Sequence, residues 1–333
     1  MRNTESISVP DQLGVSTPHS GGAFGAGGRR KWVNLWLFNS LLIGICAIVF
    51  FPIFSTLLLS IKEPQDVRRT PPILLPCDTE SAAFDPRNCR FSLDGYSRVL
   101  LLRPNPDSLF GMSVTGRLFT QYVPNTLFYA TFAAIMTTIL AGLAAYGLSR
   151  FRFHGRRLLL TLLLALSGVP LLTMLLALYQ MNVRMRQMLP GYEERLFMVI
   201  VYVGFELPFA IWVVKGFFDT IPIELEEAAK IDGASPLSAL ARIVAPLAAP
   251  GLVSIFLLTY VNVWNEFIAN YLLLGRSELR GAMYGIYEYI SQSLSAYNAL
   301  AAACILVILP VITIFLFTRQ AFFRSMLEGA IKG

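Results

Sequence analysis

Six apolar runs, separated by polar segments, constrain this 333-residue chain more than any other feature. Several of them exceed the roughly eighteen apolar residues that a helix needs to cross a bilayer. Apolar residues make up 55% of the chain and charged residues only 14%, whereas soluble domains are roughly a quarter charged. We therefore predict an all-α integral membrane protein, because a membrane helix satisfies its backbone hydrogen bonds within its own segment.

Six transmembrane helices are predicted, with both termini in the cytoplasm. Their expected bounds are 32–60, 121–148, 158–181, 196–218, 247–274 and 299–317. Basic residues of the short loops, most clearly those of the Arg150–Arg157 segment, fall on one side of the membrane. The positive-inside rule makes that side the cytoplasm. Gly168 and Pro170 interrupt the third run, and a break of this kind predicts a bend.

Five segments are expected along the chain. They are a disordered cytoplasmic tail at 1–30, a first membrane helix at 31–61, an extracytoplasmic loop or insert at 62–118, a five-helix core at 119–318 and a cytoplasmic tail at 319–333. Residues 1–30 carry too few large apolar side chains to bury a core. Cys77 and Cys89 lie in the insert, and a disulfide between them requires that the loop face an oxidising compartment.

Charge and motifs exclude several classes of function. The net charge of +6 comes from basic residues at the ends of apolar runs, where membrane topology explains them and nucleic-acid binding is not required. The sequence has no H-E-x-x-H, G-x-S-x-G or Walker motif, and the glycine-rich run 21–28 lacks the Gly-Lys-Ser/Thr of a phosphate loop. We expect no catalytic site, no metal site and no enzymatic activity.

A polar segment at 219–246, between the fourth and fifth apolar runs and expected on the cytoplasmic side, predicts two short helices at an angle. Pro222 and the three glutamates after it suit the positive end of a helix dipole, and Gly233 is expected to end that helix. Ser235 is a cap residue for a second helix. That helix is expected to stop near Ala245, because the residue before Pro246 is pushed away from the α region.

This polar segment also carries a resemblance to a known family. The residues concerned are Glu227, Ala228, Ala229, Gly233, Ile243 and Pro246. In this register they resemble the EAA loop of ABC importer permeases. The segments 231–235, 264–267 and 144–147 are similar to the carbohydrate-uptake branch, in particular to the smaller permease of the maltose type. Ala245 stands where that family usually has leucine, which removes at most one packing contact.

The resemblance implies a type I ABC importer permease architecture in the bacterial inner membrane. It implies a complex with a second, larger permease, two ATPase subunits and an extracytoplasmic solute-binding protein. The ligand would be a sugar, and membrane lipid would surround the complex. We expect this chain to bind no cofactor itself, since ATP and magnesium would be used by the partner ATPase subunits.

The family roles carry over to particular residues. Contacts that couple the loop to the ATPase are expected at Glu227, Ala228, Ala229, Asp232, Gly233 and Pro246. Glu227 would form charge-assisted hydrogen bonds, the two alanines would allow close approach, and Gly233 would form the bend. A plainer interpretation is that Glu227 only stabilises a helix start. The C-terminal Gly329, Lys332 and Gly333 resemble a tail that reaches the ATPase pair.

Polar residues within the spans are the candidates for the substrate pathway. Asn262, Asn265 and Glu266 are spaced i, i+3 and i+4, which places them on one helix face. Glu206 lies within the fourth run, where a carboxylate suggests function. The alternatives are hydrogen bonds between helices for the first three, and for Glu206 a position near the outer surface or a pairing with arginine. Tyrosines between 284 and 289 suggest either a contact with the binding protein or a membrane-interface belt.

The function that these features favour is that of the membrane subunit of an ATP-driven sugar or oligosaccharide importer. It would form half of the translocation pathway and couple it to the ATPase subunits. One alternative is a permease for another solute, such as a glycerol phosphate or a peptide. A second is an ion-coupled secondary carrier, which would use Glu206 and Glu266 but leaves the polar hairpin without a role.

Overall fold

The computed structural model describes residues 26–67, 91–100, 117–292 and 297–330. Thirteen α-helices and one 3-10 turn, Ser277–Leu279, occur within these ranges, and no strand longer than a single bridge residue is found there. Their bounds are α1 Ala26–Ser60, α2 Pro64–Val67, α3 Asp94–Leu100, α4 Leu118–Arg150, α5 Arg156–Ser167, α6 Leu171–Met188, α7 Glu194–Phe218, α8 Glu224–Ile231, α9 Pro236–Leu247, α10 Ala249–Asn265, α11 Ile268–Leu273, α12 Ala282–Gln292 and α13 Tyr297–Ala330.

The chain forms two compact units, one ending at Phe54 and the other beginning at Ser55. In the first unit, every side chain from Leu35 to Phe54 is exposed. Since these residues are almost all apolar, this part of α1 is suited to lipid or to a protein partner within the bilayer.

Four helices within the described residues are long and apolar enough to cross a membrane by themselves. They comprise α4, α7 and the stretches Leu35–Ser60 and Tyr297–Gln320. Two bent pairs bring the number to six if each pair counts as one span. The six apolar runs predicted from the sequence correspond to these elements, so the protein is an all-α multi-pass membrane protein.

The predicted interruption of the third span is more than a gentle bend. Helices α5 and α6 meet at 89° across Gly168–Pro170. Pro170 takes an extended backbone conformation and donates no amide proton, so the helix restarts at Leu171 in a new direction. Helices α9 and α10 meet at 80° at Ala248, and Pro250 lies in the first turn of α10.

Helix α4 forms the centre of the second unit and packs along α7 and α10. Its buried face is built largely from small residues, which let helix backbones approach closely. They are Ala130, Ala133, Ala134, Ala141 and Ala145. Between α7 and α10 the approach is close at Gly251, where a Cβ atom would lie 2.4 Å from the Phe217 ring.

Helix ends differ from the sequence prediction at several places. Helix α9 does not stop at Ala245 but continues through Pro246 to Leu247. A π-type turn over Leu240–Val244 opens the hydrogen-bond ladder just before the proline, so the missing amide proton costs the helix less. The same arrangement precedes Pro124 at the start of α4. Helix α13 continues to Ala330, well beyond the expected end of the sixth span at Phe317.

The described parts of the insert pack on the last helix. Helix α3 lies against α13, and a Cβ at Gly95 would come within 2.7 Å of the Asn298 carbonyl oxygen. The Tyr96 hydroxyl is 2.8 Å from the Ser60 hydroxyl. Cys77 and Cys89 lie outside the described residues, so their pairing stays a prediction.

Candidate functional site

The polar hairpin of α8 and α9 has the bend that the sequence predicts at Gly233. Its φ angle is +88°, in the left-handed region that favours glycine. The amide of Gly233 donates to the Lys230 carbonyl, and that of Ala234 donates to the Ala229 carbonyl, which is the Schellman pattern of helix termination. The Ser235 hydroxyl then accepts a bond from the Ser238 amide and caps α9. The two-helix prediction is confirmed.

One side of this hairpin is exposed and partly apolar. Glu227, Ala228 and Asp232 are exposed, and Ala229 is half-buried. Ile231 is 87% exposed and Leu237 is 64% exposed, one on each side of the bend. A surface with carboxylates and bare aliphatic side chains is typical of a contact for another protein chain.

A buried ion pair holds the hairpin on the last turn of α4. The Glu226 side chain is 1% exposed. It accepts a bond from Nε of Arg150 at 2.5 Å and from the Tyr146 hydroxyl at 3.0 Å. Arg150 also donates to the Ile221 carbonyl at 3.1 Å, in the segment that leads into α8. The arginine is thus bonded on two sides, as a buried charge requires.

A second polar contact strengthens this junction. The Ser149 hydroxyl donates to the Asp219 carboxylate at 2.6 Å, and Lys215 of α7 forms an ion pair with the same carboxylate. The ends of α4 and α7 are therefore joined directly beneath the hairpin.

Sequence reasoning selected Glu227 and missed Glu226, Arg150 and Tyr146 as the residues that hold the hairpin. Adjacent residues of a helix point about 100° apart, so two consecutive glutamates face different directions. That spacing was the available signal. It could not show which glutamate faces inward, because the choice depends on where α4 ends in space.

Apolar side chains anchor the second half of the hairpin. Leu240 and Val244 of α9 are buried in a cluster with Tyr146 of α4 and Phe218 of α7. The hairpin is therefore held at two points, by an ion pair through α8 and by apolar packing through α9. The hairpin is thus packed against both α4 and α7.

Two of the candidate pathway residues lie together and belong to different helices. Nδ2 of Asn262, in α10, lies 3.3 and 3.4 Å from the two carboxylate oxygens of Glu206, in α7. Asn262 is exposed and Glu206 is half-buried. Asn265, also exposed, donates from its amide to the Val261 carbonyl one turn earlier. These groups form a polar patch along α10 that faces away from the protein core.

Glu266 does not share this face, contrary to the sequence expectation. Helix α10 ends at Asn265, and Glu266 takes an extended backbone conformation. Its carboxylate accepts from the amides of Ala269 and Asn270 and thereby caps α11. The Tyr202 hydroxyl donates to it as well, at 3.0 Å. Both carboxylate oxygens thus have partners inside the protein. The i, i+4 spacing misled because it assumed an uninterrupted helix.

The aromatic residues near these positions divide into two groups. Trp264 is 1% exposed and stacks on Tyr260 at 5.7 Å between ring centres, so it belongs to the core. Phe267, Tyr271 and Tyr284 form a second stack beside the end of α10. The Arg280 guanidinium lies 4.9 Å from the Tyr271 ring centre and 4.4 Å from that of Tyr284. Tyr271 and Tyr287 are exposed, so part of this surface is accessible.

The loop between α11 and α12, next to this aromatic surface, is hydrogen-bonded to the first turns of α4. Asn125 donates to the carbonyls of Glu278 and Arg280, and the Tyr129 hydroxyl donates to the carbonyl of Leu279. The Thr126 hydroxyl accepts from the amide of Ala282. Helix α4 thus contacts the polar hairpin at one end and this loop at the other.

A further network of polar side chains joins α6 and α7 to the segment that follows α11. Glu194 is 3% exposed and forms an ion pair with Arg186 at 2.8 Å, while the amide of Gly275 donates to its other oxygen. The Tyr192 hydroxyl donates to Asn182 at 2.6 Å. Burial, and then the charge of Glu194, raises the pKa of Tyr192 to about 12. Tyr192 therefore stays protonated, and able to donate, across the physiological range.

The candidate C-terminal contacts are described only in part. Gly329 lies in the last turn of α13. Lys332 and Gly333 are outside the described residues, so their role stays a prediction.

Comparison with known proteins places this chain and its relatives in one family of transport proteins. Residues 134–328, more than half of the chain, match the family described as the inner membrane component of binding-protein-dependent transport systems. The maltodextrin transport system permease protein MdxG of Bacillus subtilis is 32% identical over 217 residues, which cover 65% of this chain and 77% of that protein.

Two further relatives have related names. The trehalose transport system permease protein SugB of Mycobacterium tuberculosis is 29% identical over 222 residues, covering 66% of this chain and 79% of that protein. The arabinooligosaccharides transport system permease protein AraQ of Bacillus subtilis is 28% identical over 288 residues, covering 85% and 90%.

Solved structures share the fold. A chain of a bacterial ABC transporter involved in the import of alginate superposes with a TM-score of 0.63 at 22% identity, covering 91% of this chain and all of that one. A second structure is the bacterial alginate transporter in complex with an alginate pentasaccharide-bound periplasmic protein. It gives a TM-score of 0.59 at 14% identity, covering 89% and 96%.

Proposed function

Because this chain belongs to the family of inner membrane components of binding-protein-dependent transport systems, we propose that it is the permease subunit of an ATP-driven importer for a sugar or oligosaccharide. Relatives with maltodextrin, trehalose and arabinooligosaccharide in their names support this substrate class. The partners would be a second permease, two ATPase subunits that use ATP and magnesium, and an extracytoplasmic solute-binding protein.

The observation that carries the coupling role is the way the α8–α9 hairpin is mounted. Its outer side exposes Glu227 and Ile231, whereas its inner side is fixed by Glu226 to Arg150. A partner that moves the hairpin therefore moves the end of α4. With 33 residues, α4 is about 50 Å long, so it reaches from the hairpin to the loop held by Asn125.

The polar patch of Glu206 and Asn262 is the proposed contact for sugar hydroxyls. A carboxylate and an amide supply acceptors and a donor for neighbouring hydroxyl groups. Both residues lie on helices that pack against α4. Motion of α4 would therefore change the setting of the patch during the transport cycle. Glu266 is not part of this proposal, since its carboxylate caps α11.

Topology follows from the same assignment. A hairpin that meets an ATPase must lie in the cytoplasm, which places the Arg150–Arg157 segment on that side and agrees with the positive-inside rule. The loop tied to the start of α4 then faces the binding protein, and both termini are cytoplasmic.

The test uses the chain in membranes with its ATPase partner. Glu227→Lys and Gly233→Trp are expected to release the ATPase into the wash fraction while the permease stays inserted, and to abolish uptake of a labelled maltodextrin, trehalose or arabino-oligosaccharide. The control is Glu193→Lys, the same charge reversal at an exposed position at the start of α7. Retention of the ATPase by both hairpin variants would contradict the coupling role.

A secondary carrier can be tested separately. The chain alone is reconstituted in liposomes, and uptake of the same sugars is measured under a proton or sodium gradient without ATP. We expect no uptake, and sugar accumulation driven by the gradient would support the carrier instead.

A further inference from the structure

Three arginines surround a cavity in the turn between α4 and α5. The cavity has a volume of about 470 Å³ and is lined by Arg152, Phe153, Gly155, Arg156, Arg157 and Leu158. In the ranges that the structure describes, none of these arginines is in an ion pair. Clustered cations without carboxylate partners repel one another, so an anion that binds between them is favoured.

The start of α5 adds donors to the same cavity. Gly155 precedes this twelve-residue helix with a φ angle of +88°, and no side chain caps the helix. The Arg156 amide donates to the Phe153 carbonyl, but the next amides of an uncapped helix have no partner within it, and the helix dipole makes them favourable to a phosphate group. Arg156 and Arg157, the first two residues of α5, line the cavity.

An apolar cavity lies directly beside the basic one. It has a volume of about 430 Å³, and its lining includes Gly147, Phe151, Phe153, Leu159, Leu163 and Ile211. Phe153 lines both cavities. Helices α4, α5 and α7 all contribute to its wall, so it is a groove between membrane helices.

We propose that the two cavities together form a site for one anionic phospholipid. The phosphate of the headgroup would lie among Arg152, Arg156 and Arg157, and an acyl chain would lie in the groove beside Ile211. A ligand with an anionic head joined to an apolar chain matches both halves of the site. The bilayer around a multi-pass protein supplies that chemistry, and basic pockets at the ends of membrane helices are suited to anionic headgroups.

The site adjoins the junction that holds the polar hairpin. Phe151 follows Arg150 in sequence, and its ring packs edge-on against Tyr146 at 6.2 Å between centres. Both Tyr146 and Arg150 bond to Glu226. A bound lipid would thus contact the residue next to the buried ion pair. The lipid site does not depend on which solute is transported.

Lipid binding is tested by native mass spectrometry of the full chain within its detergent-purified complex. Phosphatidylglycerol or phosphatidylcholine with the same acyl chains is added, and bound lipid is counted. We expect retention of phosphatidylglycerol over phosphatidylcholine. The double variant Arg156→Gln/Arg157→Gln should weaken phosphatidylglycerol binding by roughly tenfold or more.

A variant of the groove separates the lipid from a free phosphate. No other group lies within 4 Å of a Cβ built at Gly147, so Gly147→Leu is expected to fit there and to occupy space in the groove. It should reduce phosphatidylglycerol binding although all three arginines remain. The thermal unfolding temperature of the complex checks that the variant is folded. Inorganic phosphate, added as a competitor, should not displace the lipid.

The control is Arg184→Gln, which removes an exposed arginine from α6. Arg186 on the same helix pairs with Glu194 at the start of α7, so this region lies away from the hairpin. The proposal is overturned if phosphatidylcholine binds equally well or if Arg184→Gln weakens binding as much as the double variant. It is also overturned if inorganic phosphate displaces the lipid, or if the intact complex retains no phosphatidylglycerol.

Discussion

Arg150, the last residue of α4, donates from Nε to the carboxylate of Glu226 in α8 at 2.5 Å, and both side chains are buried. These residues are 76 positions apart in the sequence. Their contact joins a membrane helix to the hairpin on which the neighbouring Glu227 is exposed. It is one of two anchors of the hairpin on α4, the other being the apolar cluster that Leu240 and Val244 form with Tyr146.

Removing one partner of this pair should be costly. Arg150→Met leaves the Glu226 carboxylate buried without its cation, and we expect a loss of about 3–5 kcal/mol in the free energy of unfolding. Denaturant unfolding of the purified complex measures this loss. Sugar uptake should also fall relative to ATP hydrolysis, because the hairpin no longer moves α4.

The double variant Arg150→Met/Glu226→Met tests whether the loss of stability comes from the unpaired buried charge. It should recover much of the lost stability, since neither charge remains buried. Glu224→Gln, an exposed glutamate in the first turn of the same helix, is the control and should be near neutral. Equal effects of Glu224→Gln and Arg150→Met would contradict the anchoring role.

The effect of a substitution at Gly233 should depend on the backbone conformation and not on steric overlap. A Cβ there meets no atom within 4 Å, but φ is +88°. Gly233→Ala is expected to cost about 1–2 kcal/mol of hairpin stability, and Gly233→Asn less, because asparagine tolerates the left-handed region. Limited proteolysis of the hairpin and ATPase retention measure the effect. Gly216→Ala, in the last turn of α7 with equally open space, should be neutral or slightly stabilising.

Glu206 and Glu266 should respond differently to the loss of their charge. Glu206→Gln is expected to change the KM for sugar uptake with little change in thermal stability. Glu266→Ala removes the cap of α11 and should cost about 0.5–2 kcal/mol, seen as a lower unfolding temperature. The two measurements are made on the same preparations. A KM change in Glu266→Gln with unaltered stability would indicate that this residue contacts the substrate.

The crossing of α7 and α10 should not tolerate a larger residue at Gly251. A Cβ at this position overlaps the Phe217 ring, with the nearest ring atoms at 2.4 Å. Gly251→Ala is expected to destabilise the protein by about 1–3 kcal/mol, as overpacking does. The second-site change Phe217→Leu should recover part of that loss. Gly204→Ala, where no atom lies within 4 Å, should show no such defect.

Sequence patterns located the elements of the fold well. The apolar runs correspond to α1, α4, the α5–α6 pair, α7, α10 and α13, because each run reflects contacts of one helix with lipid or core. The hairpin was also predicted, since Gly233, Ser235 and Pro236 act on the backbone within a few residues. The sequence predicted the positions of helix interruptions less accurately. The π-type turn before Pro246 and the end of α10 at Asn265 depend on neighbouring helices as well as on local sequence.

The sequence alone determined that this is a multi-pass membrane protein with a polar hairpin between its fourth and fifth apolar runs. Tertiary structure decided which charges carry the architecture: that Glu226 faces Arg150, that Glu266 caps α11, and that Asn262 meets Glu206. Helix spacing reports only the face on which a residue lies. What that face meets depends on the packing of segments that are far apart in the chain.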